Sequence, residues 1–149
     1  MLTKEDTVLV LIDIQGKLAK IVDDSEFVID NIVRVVKGAN VLELPILWLE
    51  QYPKGLGPTV EEIANEIDGT PIEKITFSAY DNEEFVQKLE ATGRKKVLLA
   101  GIETHICVYQ TALVARRVFA DKSLLAQLNA IVHPAVRSDI EKWISGIGN

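Results

Sequence analysis

Thr7-Val-Leu-Val-Leu-Ile-Asp13 is a nearly unbroken apolar run closed by an acid. A run without polar alternation has no face to offer water. It fits a strand covered on both sides, as in a parallel sheet packed between helices. Ile46-Leu-Trp-Leu49, after Pro45, and Lys96-Val-Leu-Leu-Ala-Gly-Ile102 read as further strands, and Pro71-Ile-Glu-Lys-Ile-Thr76 as a weaker one. Between the first two strands, Val28, Ile32, Val35, Val36, Ala39 and Leu42 recur at helical spacing. Asp81, Glu83 and Glu84 resemble the acidic first turn of a helix running to about Thr92, with Gly93 as its stop, and Thr104 to Ala115 reads as another helix. Glu50 to Gly69, carrying Pro53, Gly55, Gly57 and Pro58, reads as a loop that enters a short helix around Thr59 to Ile67. The alternation predicts an α/β fold, a three-layer Rossmann-like sandwich around a parallel sheet, whose ligands gather at the carboxyl ends of the strands.

The 149 residues suit a single domain, and 48% hydrophobic with 26% charged residues is an ordinary globular balance. A net charge of −6 repels a phosphate backbone, which argues against a nucleic-acid partner. No apolar stretch approaches the ~20 residues of a membrane span. The start, Met-Leu-Thr-Lys-Glu-Asp, lacks the basic and small-residue features of a signal peptide, so a cytoplasmic location is the expectation. A lone cysteine forms no internal disulfide and no cysteine-rich zinc site, which leaves packing or a reactive thiol.

That cysteine, Cys107, follows the strand ending at Ile102 by a short turn and stands in the first turn of a helix. Backbone N–H groups and the positive end of the helix dipole stabilise a thiolate there, although a small buried residue suits the place equally well. Asp13 closes a buried strand, where an acid serves either as a base or as a turn cap. Lys74 lies in a half-apolar strand, from which a cation can favour a thiolate or simply reach solvent. Their shared address at strand ends makes a coherent set of base, cation and thiol. Trp48, Tyr52 and Tyr80, with Gln15, are candidates for a pocket lining, although aromatic residues beside strands also belong to cores.

Leu11-Ile-Asp-Ile-Gln15, Glu73-Lys-Ile-Thr-Phe-Ser-Ala79 and Gly101-Ile-Glu-Thr-His-Ile-Cys-Val108 resemble, in order and spacing, the three signature segments of the isochorismatase-like cysteine hydrolases. The loop Glu50-Gln-Tyr-Pro-Lys-Gly-Leu-Gly-Pro-Thr59 is similar to that of the isochorismatase domain-containing branch. The resemblance, which covers about residues 1–114, implies hydrolysis of an amide, imide or vinyl-ether-like bond in a small metabolite. Cys107 would be the nucleophile, Asp13 the general base and Lys74 the residue favouring the thiolate. It also implies an oxyanion hole in the backbone of Ile102, Glu103 and Ile106, beside a non-proline cis peptide that would cost ~3 kcal/mol. The Asp-x-His-x-x-His pattern of the metal-dependent relatives is missing, so neither zinc nor another cofactor is expected.

Beyond Val114 the resemblance stops. The family's next strand is not seen, so the sheet is expected to be about two strands short. Arg116 to Val136, with its Leu-Asn-x-x-x-His-Pro stretch, instead resembles a helical segment of dephospho-CoA kinases, and the similarity extends to about residue 145. A Gly-rich phosphate loop ending in Gly-Lys-Ser/Thr is absent, so phosphoryl transfer is not implied, and His133 reads as a helix-boundary residue before Pro134. The expectation is one domain, an isochorismatase-like core at 1–114 joined to a helical segment of other origin at 115–149: a chimera, natural or engineered. The alternative to an enzyme is then a scaffold with little activity. Leu124, Leu125, Leu128, Ile131 and Val132, and then Val136, Ile140, Trp143 and Ile144, form apolar helical faces that suggest a homo-oligomer.

Overall fold

The computed structural model describes residues 2–120, with backbone only for 116–120. The segment from Arg116 onward, expected to resemble a kinase helix and to carry the apolar faces, therefore lies outside the described residues, except for the backbone of 116–120, which continues a helix.

Strand β1 (Thr7–Ile12) is followed by helices α1 (Leu18–Ile21) and α2 (Ser25–Val41), and then by strand β2 (Ile46–Gln51). Two short helices, α3 (Pro53–Leu56) and α4 (Glu61–Ala64), lead to strand β3 (Ile72–Lys74), and a 3-10 turn over Ala79–Asp81 precedes α5 (Glu83–Ala91). Strand β4 (Lys96–Gly101) and helix α6 (Cys107–Ala120) complete the described chain. Among the described residues these strands form one four-stranded sheet in the order β3-β2-β1-β4, all neighbours parallel.

Every residue of β1 is buried, as its apolar run requires. Val8, Val10 and Ile12 face one core, shared with Phe85 and Leu89 of α5 and Ala115 of α6. Leu9 and Leu11 face the other, with Ile29, Ile32, Val36 and Ala39 of α2 and Ile63 of α4. Strand alternation thus gives one sheet two helical covers, the three layers expected. Fully burying each such side chain is worth about 1.5–3 kcal/mol, so the central strand anchors the fold.

Helix α5 starts where Asn82 accepts a hydrogen bond from the Phe85 N–H at 2.9 Å, with Glu83 and Glu84 in the first turn. Asn82 also donates to the Glu73 carbonyl at 2.9 Å, which fixes the helix to β3. Strand β2 runs two residues beyond the apolar Ile46–Leu49 because Glu50 and Gln51 pair in register with Glu73 and Lys74.

Candidate active site

The carboxyl ends of β1, β2, β3 and β4 meet around Asp13. This residue leaves β1 with φ 54, a left-handed conformation that aspartate tolerates better than most residues, and its N–H donates to the Leu49 carbonyl at 3.2 Å. The turn keeps the carboxyl group inside the protein, with the residue only 1% exposed.

Lys74, the last residue of β3, has a wholly enclosed side chain. Its ammonium donates to Asp13 Oδ2 at 2.6 Å, Gln51 Oε1 at 2.7 Å and the Thr76 carbonyl at 3.1 Å. An ammonium has three protons and here each has an acceptor. The ammonium is buried, paired and fully hydrogen-bonded, the condition under which such a charge is tolerated.

Cys107 opens α6 and is 1% exposed. Its thiol lies against the Asp13 carboxyl group, and the oxygen that Lys74 does not hold, Oδ1, is also buried. Burial raises the Asp13 carboxyl above its ordinary range, against the lowering effect of the Lys74 charge and of the hydrogen bonds from Lys74 and Cys107. Burial likewise pushes the Cys107 thiol up to about 12; the Lys74 charge lowers it, while the Asp13 charge raises it. The resemblance implied that Lys74 favours the thiolate; its charge acts in that direction, and burial acts more strongly in the other. Chemically, the arrangement can pass the sulfur's proton to Asp13 as the sulfur attacks, rather than hold a preformed anion.

The turn into α6 departs from a second expectation. Every peptide bond among the described residues is trans, so Ile102 to Ile106 contains no cis bond. The Ile106 N–H donates to the Glu103 carbonyl at 3.2 Å, as does that of Val108 at 3.3 Å, so one of the amides expected to hold an oxyanion is occupied within the turn. Ile102 and Glu103 begin this turn directly after β4.

The proposed pocket residues separate. Tyr52, in the left-handed region with φ 38, lines a cavity of about 390 Å³ with Pro53, Lys54, Lys74, Ile75, Thr76 and Asn82. Trp48 packs in the α2-side core, and Tyr80 packs edge-on against Phe85 at 5.3 Å in the other; neither lines that cavity. Gln15 is fully buried and bonds to backbone: its amide nitrogen donates to the Gln51 and Gly57 carbonyls at 3.1 and 2.6 Å, and its oxygen accepts from the Gln51 N–H at 2.6 Å. Two site residues were missed from sequence. Gln51 holds Lys74, and buried Glu50 accepts from the Thr59 N–H at 2.6 Å while its charge raises the Asp13 carboxyl further. Only their place at the end of β2, level with Lys74, could have pointed to them. Among the described residues no group of three His, Cys, Asp or Glu side chains is set to hold a metal, and no helix is long and apolar enough to cross a membrane.

The family model for the isochorismatase domain matches residues 7–117. The chain belongs to the isochorismatase-domain family. Mouse isochorismatase domain-containing protein 2A is 39% identical over 112 residues, covering 73% of this chain and 52% of that protein. Among solved structures, the YcaC gene product of Escherichia coli, an octameric hydrolase of unknown specificity, superposes with a TM-score of 0.73 at 30% identity, over 78% of this chain and 59% of that one. A structure described as the MAR1 ribonuclease of Caenorhabditis elegans gives a TM-score of 0.71 at 31% identity, over 78% and 60%. The isochorismatase-domain chain spans little more than half the length of three curated relatives it matches, 57%, 55% and 52% of them.

Proposed function

We propose that the protein is a cysteine hydrolase of small metabolites, cleaving an amide, imide or vinyl-ether-like bond through Cys107, Asp13 and Lys74. One observation carries this reading: a thiol buried beside a carboxylate that a buried ammonium holds at 2.6 Å, where the strands end. For an acyl substrate, Cys107 sulfur bonds to the carbonyl carbon as its proton moves to Asp13. The carbon–nitrogen bond then breaks, and Asp13 returns the proton to the leaving nitrogen. Water, deprotonated by Asp13, hydrolyses the thioester and restores the thiol. Lys74 holds the carboxylate throughout. Backbone of Ile102, Glu103 and Ile106 would receive the oxyanion, which requires the Ile106 N–H to leave the Glu103 carbonyl. No metal or cofactor enters this scheme.

An acidic chain, with net charge −6, suits a small substrate better than the polyanion that a ribonuclease binds. The octameric state of the E. coli neighbour and the apolar faces read from the sequence both favour a homo-oligomer. The rival reading is a scaffold that keeps the fold without turnover, and a thiol so enclosed, held at about 12, is the observation in its favour.

Alkylation of Cys107 by iodoacetamide against pH, followed by intact mass, separates the two. An active site predicts that Asp13→Asn slows alkylation near neutral pH by about 10-fold or more, the order of a lost general base. In an amide and imide screen, Cys107→Ser should then remove any turnover found. Equal alkylation rates in wild type and Asp13→Asn at every pH would leave the scaffold.

A further inference from the structure

The geometry points to Gln51 as a positioning residue for the proposed reaction, holding the Lys74 ammonium in place while Gln15 clamps the backbone that carries Gln51. This rests on the cysteine-hydrolase reading and adds two residues to it.

Lysine has a long, flexible stem, and a single carboxylate would leave its ammonium free to swing. Here the Gln51 side-chain oxygen, at 2.7 Å, supplies a second, neutral acceptor and the Thr76 carbonyl a third. Gln51 is itself fixed from both sides. Gln15 accepts from its N–H at 2.6 Å and donates to its carbonyl at 3.1 Å, pairing with it as a neighbouring strand would, although Gln15 lies outside every strand. The second proton of the Gln15 amide goes to the Gly57 carbonyl at 2.6 Å, so the same side chain ties in the loop after α3. Burying a side-chain amide at 0% exposure is expensive unless each bond is made, and these are made.

Neutrality is the chemical point. The charged or titratable groups acting on the Asp13 and Cys107 pair are Lys74 from β3, Glu50 from β2 and Glu103 from the turn before α6, besides Asp13 and Cys107 themselves. Glutamine gives Lys74 an acceptor without adding another negative charge to this group. A glutamate in its place would offset the one cation that favours the thiolate. Because all three ammonium protons are committed, Lys74 also has none to give a leaving group, and Asp13 remains the group that carries the proton.

The test is the pH profile of Cys107 alkylation by iodoacetamide in four variants of the full chain: Gln51→Glu, Gln51→Leu, Lys74→Met and the double variant Gln51→Leu with Lys74→Met. Melting temperatures establish that each is folded. Gln51→Glu, nearly isosteric, should move the profile to higher pH and lower the rate at pH 7 by about tenfold, as one added charge nearby requires. Gln51→Leu should slow the reaction toward the Lys74→Met rate, and the double variant should be no slower than Lys74→Met alone, because both remove one device. Should Gln51→Leu fail to fold, the glutamate profile decides alone. A glutamate profile that superposes on wild type, or losses that multiply in the double variant, overturns the positioning role while leaving the hydrolase reading intact. If Asp13→Asn also leaves the wild-type profile unmoved, the hydrolase reading has failed and this inference falls with it.

Discussion

Two buried groups, Cys107 and Tyr80, hold their protons up to about 12, against ordinary values of 9.0 and 10.0, and burial is the leading cause for both. The folded state binds these protons more tightly than the unfolded chain does. The stability this lends is complete below about pH 9 and is lost as pH rises toward 12. We expect the unfolding free energy to fall across that window by on the order of a few kcal/mol, seen as a falling melting temperature. Cys107→Ala with Tyr80→Phe should flatten the fall. An equal fall in the double variant would mean that other groups are responsible. The Tyr80 hydroxyl is buried without a partner, so removing it costs little at neutral pH. At this scale the sequence was informative where the residue type carries chemistry: an acid ending an apolar run and a lone cysteine after a strand both stand out. Lys74 was ambiguous, because a strand lysine also suits an exposed edge. Gln51 was invisible, because glutamine has no reactive signature and its partners lie 23 and 36 residues away in the chain.

Among the elements, the turn between β4 and α6 sets how close the thiol comes to the carboxylate. Gly101 closes β4 opposite Ile12, and a Cβ there would stand 2.7 Å from both the Ile12 carbonyl oxygen and the Val108 side chain. Neither the strand backbone nor the first turn of α6 has room for it. Gly101→Ala should therefore destabilise the fold by about 1–3 kcal/mol, the usual penalty of overpacking. It should also slow Cys107 alkylation near neutral pH by drawing α6 away from β1. Urea unfolding and the alkylation rate check both, and a wild-type stability would show that the neighbours yield. The strands were legible in the sequence because buried parallel strands are written in apolar residues. The end of β2 was not, because Glu50 and Gln51 are polar; Glu50 hides its carboxylate by binding the Thr59 N–H, and Gln51 is held by Gln15. Hydropathy cannot anticipate polar residues that satisfy one another in the interior.

At the scale of the molecule, the described sheet ends at β4, whose one partner strand among the described residues is β1. If the proposed homo-oligomer forms, light scattering across a wide dilution series will give a mass that is a multiple of 16.5 kDa. A monomer mass at every concentration would overturn that assembly. The ammonium at the centre of the site has a different consequence. Acetylating and carbamylating reagents need an exposed amine, and Lys74 presents neither surface nor an uncommitted proton. Such modification will accumulate on exposed lysines such as Lys17 and Lys54, and pass this one by for as long as the fold stays closed. The charge of the site is thus insulated from chemical ageing that would steadily erase the charges outside.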